Sequence, residues 1–452
     1  MKLSIWLFLT LLAPNIWGFC GFYVAKADSS LYNKASQVVM VRNENKTALT
    51  MFSDYHGEMK DFAIVIPVPE ILTREQINVA DRAIIERVDA FSAPRLVEYF
   101  DPDPCEPPMW SAMRSMKADG GGTGTPASDK SLGVTIEAQY TVGEYDILIL
   151  GAKDSLGLET WLTSNGYKLP KGASRALEPY IKQNLKFFVA KVNLKEQVKS
   201  GFHYLRPIQF AYESSRFMLP IRLGMVNSDG PQDMLIYAIT KKGRVETTNY
   251  RTVKLPTGMD LPLYVKNKFP DFYRAMFEFA HKKENQKVVF LEYAWNMGWC
   301  DPCAADPLSE AELRKLGVFW TTESSFNPKS PKVRPGVFPP LQTLPEAYIT
   351  RLHVKYDAEH FPEDLFFQET GDTENFQGRY VLRHPWEKES KCEAAIKYQK
   401  ELKNRRTKEA ETLAKLTQWK LEDIYKDMGK GLSSSNESSE KTSEKWYQNI
   451  FK

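Results

Sequence analysis

An α+β fold, built of mostly antiparallel sheets with flanking helices plus a long C-terminal helix, is predicted by three features of the sequence. Short β-rich runs separated by turn residues recur along most of the chain, helical patterns interrupt them without the strict alternation of a βαβ series, and the C-terminal part carries one extended helical pattern. No period of the kind that marks a solenoid or propeller is present.

In order, residues 35–67 read as a meander: Ser36-Gln-Val-Val-Met-Val-Arg42, a polar break at Asn43-Glu-Asn45, Ala48-Leu-Thr-Met-Phe52 and Phe62-Ala-Ile-Val-Ile66. An amphipathic helix is expected from about 74 to 91, because Ile77, Ala80, Ile84, Ile85, Val88 and Phe91 fall at helical spacing and Pro94 stops the pattern. Asp101-Pro-Asp-Pro-Cys-Glu-Pro-Pro108 and the glycines at 120–124 read as loop, since proline fixes φ and removes a donor. Those glycines lack the lysine of a phosphate-cradling loop. Strands are expected at 134–140, 145–150, 186–192, 208–212, 217–225, 234–239, 244–253 and 288–294, with helices at 156–164, 176–184 and 264–281. The prolines of 325–345 mark an extended crossing segment, after which 346–388 reads as a small β element, 389–430 as one long helix with a thin apolar stripe, and 431–452 as a flexible tail. The main α+β region thus spans 19–324, with two subdomains meeting near 101–130.

The N-terminus has the order of a cleavable secretory signal. Met1-Lys2 is basic, 3–12 is an apolar run of roughly ten residues against the ~20 of a membrane-spanning helix, and Pro14-Asn15 breaks it before Trp17-Gly18. Cleavage after Gly18, closing a 1–18 signal peptide, would send the chain to the periplasm or cell exterior without a transmembrane span. A lipid anchor on Cys20 is the rival, but the bulky Trp17 and Phe19 fit its signal poorly. The 452 residues carry 60 basic and 57 acidic side chains, a net charge of +3, so no global field recruits nucleic acid.

Several segments together resemble one family: Cys20-Gly-Phe-Tyr-Val-Ala-Lys-Ala27, Phe62-Ala-Ile-Val-Ile-Pro-Val-Pro69, Ala93-Pro-Arg-Leu-Val-Glu-Tyr99, Tyr140-Thr-Val-Gly-Glu-Tyr-Asp146 and Cys300-Asp-Pro-Cys303. The chain resembles the bacterial domain of unknown function 2330 family of exported proteins from Cys20 to about Val318, and on through Arg379-Tyr-Val-Leu-Arg-His-Pro-Trp386. The resemblance implies bacterial origin, export and a mixed α/β architecture. It carries over no catalytic residue.

Cys20, Cys105, Cys300, Cys303 and Cys392 are disulfide candidates, since thiols of exported proteins tend to be oxidised. Cys300-x-x-Cys303 could instead be an exchanging dithiol, but Asp301 would raise a neighbouring thiol pKa and Pro302 puts the pair in a turn, which favours a structural bridge. No second C-x-x-C or histidine cluster completes a zinc site. His353, Asp357, His360, Asp364 and His384 form the best polar cluster for acid/base or metal chemistry, although solvated surface turns are the commoner use of such residues. No G-x-S-x-G elbow marks a hydrolase. Trp295, Trp299, Trp320 and Trp386 could line an aromatic groove, though packing is the usual role of tryptophan. The balance points to a non-enzymatic binding or envelope-scaffold protein that docks an envelope partner through 389–452, with no metal or cofactor. The alternative is an envelope enzyme, a hydrolase or a thiol-disulfide oxidoreductase using Cys300 and Cys303.

Overall fold

Two sheets packed face to face form the centre of the molecule, and helices cover the outer face of each. The computed structural model describes residues 22–25, 32–56, 62–105, 136–152, 155–165, 172–193, 205–226, 230–298, 307–321 and 346–433. The larger sheet has nine strands, running Arg251–Lys254, Val288–Asn296, Tyr348–Tyr356, Gln232–Thr240, Tyr32–Asn43, Lys46–His56, Ile208–Glu213 and Ile77–Val79, with Phe376–Gln377 added beside Val288–Asn296. The smaller has five, in the order Phe22–Ala25, Phe62–Val68, Lys186–Val192, Tyr145–Leu150 and Ile136–Val142. Most pairs are antiparallel, with parallel ones where Gln232–Thr240 meets Tyr32–Asn43 and Arg251–Lys254 meets Val288–Asn296.

Residue alternation explains the layering. In Phe62–Val68, Ile64 and Ile66 point into the space between the sheets while Ala63 and Val65 face outward, and Phe188/Ala190 and Phe187/Val189 divide in the same way. From the larger sheet, Val38, Met40, Met234, Ile236, Leu352 and Val354 close the shared core. The outer face of the five-stranded sheet is covered by helices Ser155–Ser164 and Ala173–Lys182 through Leu158, Leu162, Leu177 and Tyr180. The outer face of the nine-stranded sheet is covered by helix Arg82–Ser92 and the short helix Glu310–Lys315. Strands buried on both faces need near-continuous apolar runs, which is why Val38-Val-Met-Val41 lacks a polar residue.

A fourth apolar cluster gathers helix Phe269–Lys283 and the C-terminal helices around a small parallel sheet of Met259–Leu261, Arg379–His384 and Arg95–Phe100. Among the described residues no helix is long and apolar enough to cross a membrane.

The fold is α+β as the pattern predicts, and several elements differ from the expectation: the strand expected at 244–253 is two, Val245–Thr247 and Arg251–Lys254, and strands Arg95–Phe100 and Met259–Leu261 come in addition to those expected. The helix expected from 74 starts later. Ile77–Val79 is a strand paired with Ile208–Glu213, and the helix begins after Asp81, whose carboxylate accepts the Ala83 N–H at 3.0 Å. The stretch 217–225 is only a two-residue strand followed by helix Arg222–Val226. The segment 346–388 does not stand by itself: Tyr348–Tyr356 lies inside the nine-stranded sheet, between Gln232–Thr240 and Val288–Asn296. The long C-terminal pattern is two helices, Glu393–Thr417 and Leu421–Ser433. Gln418 between them takes a left-handed conformation at φ 61° and its N–H closes on the Ala414 carbonyl, a helix-ending turn that brings Ile424 back to the cluster of Ala410 and Leu413. Residues 1–18, where a signal peptide is expected, the stretch around 120–124, the proline-rich 325–345 and the residues after 433 lie outside the described residues.

Candidate functional site

Strand Tyr348–Tyr356 sends Leu352, Val354 and Tyr356 into the core and therefore turns Arg351, His353 and Lys355 to the opposite face. That face is not solvent. Helix Phe269–Lys283 lies over it, bringing Tyr273, Phe277, Glu278 and His281, and helix Arg82–Ser92 brings Asp89 and Ser92. The neighbouring strands supply Asp233 and Glu292. Glu292 sits where the pairing of Val288–Asn296 slips between Leu291 and Tyr293, a bulge of the sort that re-aims one side chain.

The result is a closed charge network. The His353 ring nitrogens face two carboxylates, Nδ1 to Glu292 Oε1 at 2.8 Å and Nε2 to Asp233 Oδ1 at 2.9 Å, so its doubly protonated form donates to both. Arg351 donates from Nε to Glu292 at 2.6 Å and from a terminal nitrogen to Asp89 at 2.6 Å, where the Tyr237 hydroxyl also donates. Tyr273 donates its hydroxyl to Glu292, and Phe277 stacks on His353 with ring centroids 3.9 Å apart. Lys355 lies 4.0 Å from Asp233. Lys355 also lies 3.6 Å from Glu278, so Arg351, His353 and Lys355 face the carboxylates of Asp89, Asp233, Glu278 and Glu292.

Burial alone would depress the His353 pKa, but the charge of Glu292 and the hydrogen bonds to Asp233 and Glu292 outweigh it and push the imidazolium up to about 9. Burial would raise Glu292, yet the charges of Arg351 and His353 hold it down at about 2. Nearby His281 goes the other way: burial lowers it, and its Nε2–H meets the Lys355 carbonyl at 3.0 Å. Each acid and base of this network has its partner within the network, and Glu292 is wholly buried.

The other residues flagged by the sequence fall elsewhere. Asp357 and His360 form a local turn pair at 2.8 Å. Asp364 is buried 184 residues from its partner Tyr180, whose hydroxyl it accepts at 2.6 Å along with the Ile221 N–H at 2.9 Å. His384 bonds Glu98 at 2.7 Å and stacks on the exposed Phe100. Of the five, only His353 enters the network. Among the described residues no group of three His, Cys, Asp or Glu could hold a metal ion. Cys105 and Cys392 form a disulfide with Cα atoms 5.9 Å apart, whereas Cys20, Cys300 and Cys303 lie outside the described residues. Trp320 donates to the Glu346 carbonyl and Trp386 to Ser390, Trp295 packs beside the outer helices, and Trp299 lies outside the described residues.

Open space occurs at a different place. A cleft of about 450 Å³ separates strand Met259–Leu261 from helix Glu393–Thr417. Its helix wall is Glu401, Asn404, Arg405, Lys408, Glu409 and Thr412, which recur on one helical face, and its strand wall is Met259 and Asp260. Arg405 is held by a fork of bonds to Asp101, at 3.2 and 2.6 Å, so the wall is anchored to the end of strand Arg95–Phe100. In sequence the helix-wall residues belong to a basic run from Lys400 to Lys408 with Glu401, Glu409 and Glu411 interleaved, which reads as a solvated helix face. Their signal is a polar stripe where a packed helix should be apolar.

These features define an α+β protein of two stacked sheets, with a sealed ionic layer on one sheet and a disulfide at the start of its C-terminal helix. The chain belongs to the family described as "uncharacterized protein conserved in bacteria", domain of unknown function 2330, whose model matches residues 14–368. The match stops short of the 379–386 stretch included in the sequence resemblance. No curated protein and no solved structure matches the chain.

Proposed function

We propose that this protein is exported to the bacterial envelope and acts there as a non-enzymatic binding protein. The observation that carries the reading is the closure of the Glu292–His353–Asp233 network. A general acid or base must present its proton to a substrate, whereas these groups are buried and bonded to one another. Buried ion pairs of this kind orient helices on a sheet and leave no reactive atom facing an opening. The Cys105–Cys392 bridge supports export, because structural disulfides persist in oxidising compartments and are rare in a bacterial cytosol.

The test is fractionation combined with complementation of a deletion strain. The chain is expected in the envelope fraction, and Tyr273→Phe, which removes the hydroxyl between Glu292 and His353, is expected to complement in proportion to its folded amount. A cytosolic chain would contradict export. Loss of complementation by Tyr273→Phe at a full folded level would overturn the binding reading in favour of chemistry at the network.

A further inference from the structure

We propose that two copies of this chain pair in solution through strand Arg95–Phe100, edge to edge and antiparallel, about a two-fold axis at Glu98. The pairing goes beyond the reading of the chain as a binding protein and does not depend on it.

Arg95–Phe100 is the end strand of the small parallel sheet, bonded on one side to Arg379–His384. The Arg95 N–H bonds the Gly378 carbonyl and the Asp101 N–H bonds the His384 carbonyl, both at 2.9 Å. Peptide groups alternate in direction along a strand, so Arg95, Val97, Tyr99 and Asp101 turn theirs inward, while Leu96, Glu98 and Phe100 turn their N–H and C=O groups to the open edge. Among the described residues none of these outward groups has a hydrogen-bond partner. Solvent reaches the strand, with Tyr99 43% and Phe100 72% exposed. Sheet edges are commonly blunted by lysine, proline or a bulge. Here the register runs without a bulge, no lysine or proline falls within the strand, and the one charge among the outward-bonding residues is Glu98, matched by Lys266 and His384 at 2.7 Å each.

A second copy fits this edge because the strand is complementary to itself read backwards. With Glu98 on the axis, Leu96 faces Phe100 and Glu98 faces Glu98, each facing pair exchanging two backbone bonds, and between them Val97 faces Tyr99 and Arg95 faces Asp101. Apolar meets apolar, a β-branched residue meets an aromatic, and opposite charges meet at both ends, which are the cross-strand pairs that stabilise antiparallel strands. Asp101 already accepts from Arg405, and the facing Arg95 adds a second cation to that carboxylate. The like charges on the axis are the one unfavourable pair, and each is held against its own Lys266 and His384. The adjacent in-phase register, with Val97 on the axis, sets Leu96 against Glu98 and Arg95 against Tyr99, and loses the match of opposite charges. A patch that pairs with itself about a two-fold axis closes as a dimer.

Sedimentation velocity of the full-length mature chain between about 1 and about 100 μM, with amide exchange at both ends of that range, tests this. The expected result is a concentration-dependent dimer in which the Leu96, Glu98 and Phe100 amides gain protection and the inward Val97 and Tyr99 amides, already bonded, do not. Phe100→Lys, at a side chain mostly in water, should keep the melting temperature and weaken the dimer about tenfold, because each residue enters a two-fold interface twice. If that variant fails to fold, Glu98→Cys decides: residues facing at the axis have Cα atoms about 5.5 Å apart, within reach of a disulfide, so oxidation should link two copies through the substituted position. A monomer throughout the range, a dimer unaffected by folded Phe100→Lys, a dimer whose three outward amides stay unprotected, or no link through the substituted position would each overturn the proposal. Fractionation and the Tyr273→Phe result are unaffected by any of these outcomes, so the two readings fail separately.

Discussion

His353 holds two protons between two carboxylates, and the consequence for stability follows from its direction of shift. Its folded-state pKa is raised from 6.5 to about 9, so the imidazolium contributes stability fully below about pH 6.5, and that contribution is lost as pH rises through about 9. Glu292 is lowered from 4.5 to about 2, so its contribution is present above pH 4.5 and lost as pH falls through about 2. Urea unfolding followed between pH 7 and 10 should therefore show a falling midpoint. Glu292→Gln should cost about 3 kcal/mol at pH 7, since it leaves Arg351 and His353 buried with one counter-charge fewer, and should flatten that fall. A wild-type midpoint that is level to pH 10, with a variant near wild type, would mean that the pair is not ionised.

The sequence flagged His353 as a cluster member with Asp357, His360, Asp364 and His384, and placed it on a solvated surface by default. Its true partners, Glu292 and Asp233, are 61 and 120 residues away in sequence, and only strand register brings them together. An alternating Arg351-x-His353-x-Lys355 pattern reads as a wet face unless one knows that a helix covers it.

Among the elements, helix Glu393–Thr417 is the most constrained by a single covalent link. Cys392 is its N-cap residue, and the bridge to Cys105 ties that end to the chain just after strand Arg95–Phe100. Arg405 on Asp101 repeats the attachment three turns on. The helix therefore packs on the body, with Ala410 and Leu413 wholly buried on its thin apolar stripe. Cys392→Ser should lower stability by roughly 3 kcal/mol, as loss of a long-range bridge does, and speed amide exchange in the first turns of this helix more than in Phe269–Lys283. Equal exchange in both helices would show that packing alone holds it. The helix break at Gln418 was not legible because glutamine gives no turn signal, whereas the Asp81 cap was readable as a residue type but outweighed by the apolar spacing of Ile77.

Across the whole molecule, the meander, the strands and the main helices were legible because their runs are apolar on one or both faces and bounded by turn residues. Sheet membership was not. Tyr348–Tyr356 follows a proline-rich segment that looks like a boundary, yet it pairs with a strand that begins 116 residues earlier, Gln232 facing Tyr356. The family match ends at residue 368, but the structure continues without a break in packing: Phe376–Gln377 extends the nine-stranded sheet, Arg379–His384 centres the parallel sheet, and both last helices join the same apolar cluster. The cleft bordered by Asp260 and Glu409 is built where that later part meets the family region.

Export and covalent closure of this C-terminal part form the centre of the account, and non-reducing peptide mapping with intact mass, on protein taken from the cell envelope, tests them most directly. The account predicts a chain that has lost its first 18 residues and a linked peptide pair containing Cys105 and Cys392. A full-length chain recovered from the cytosol, with both of these thiols free to alkylate, would contradict it.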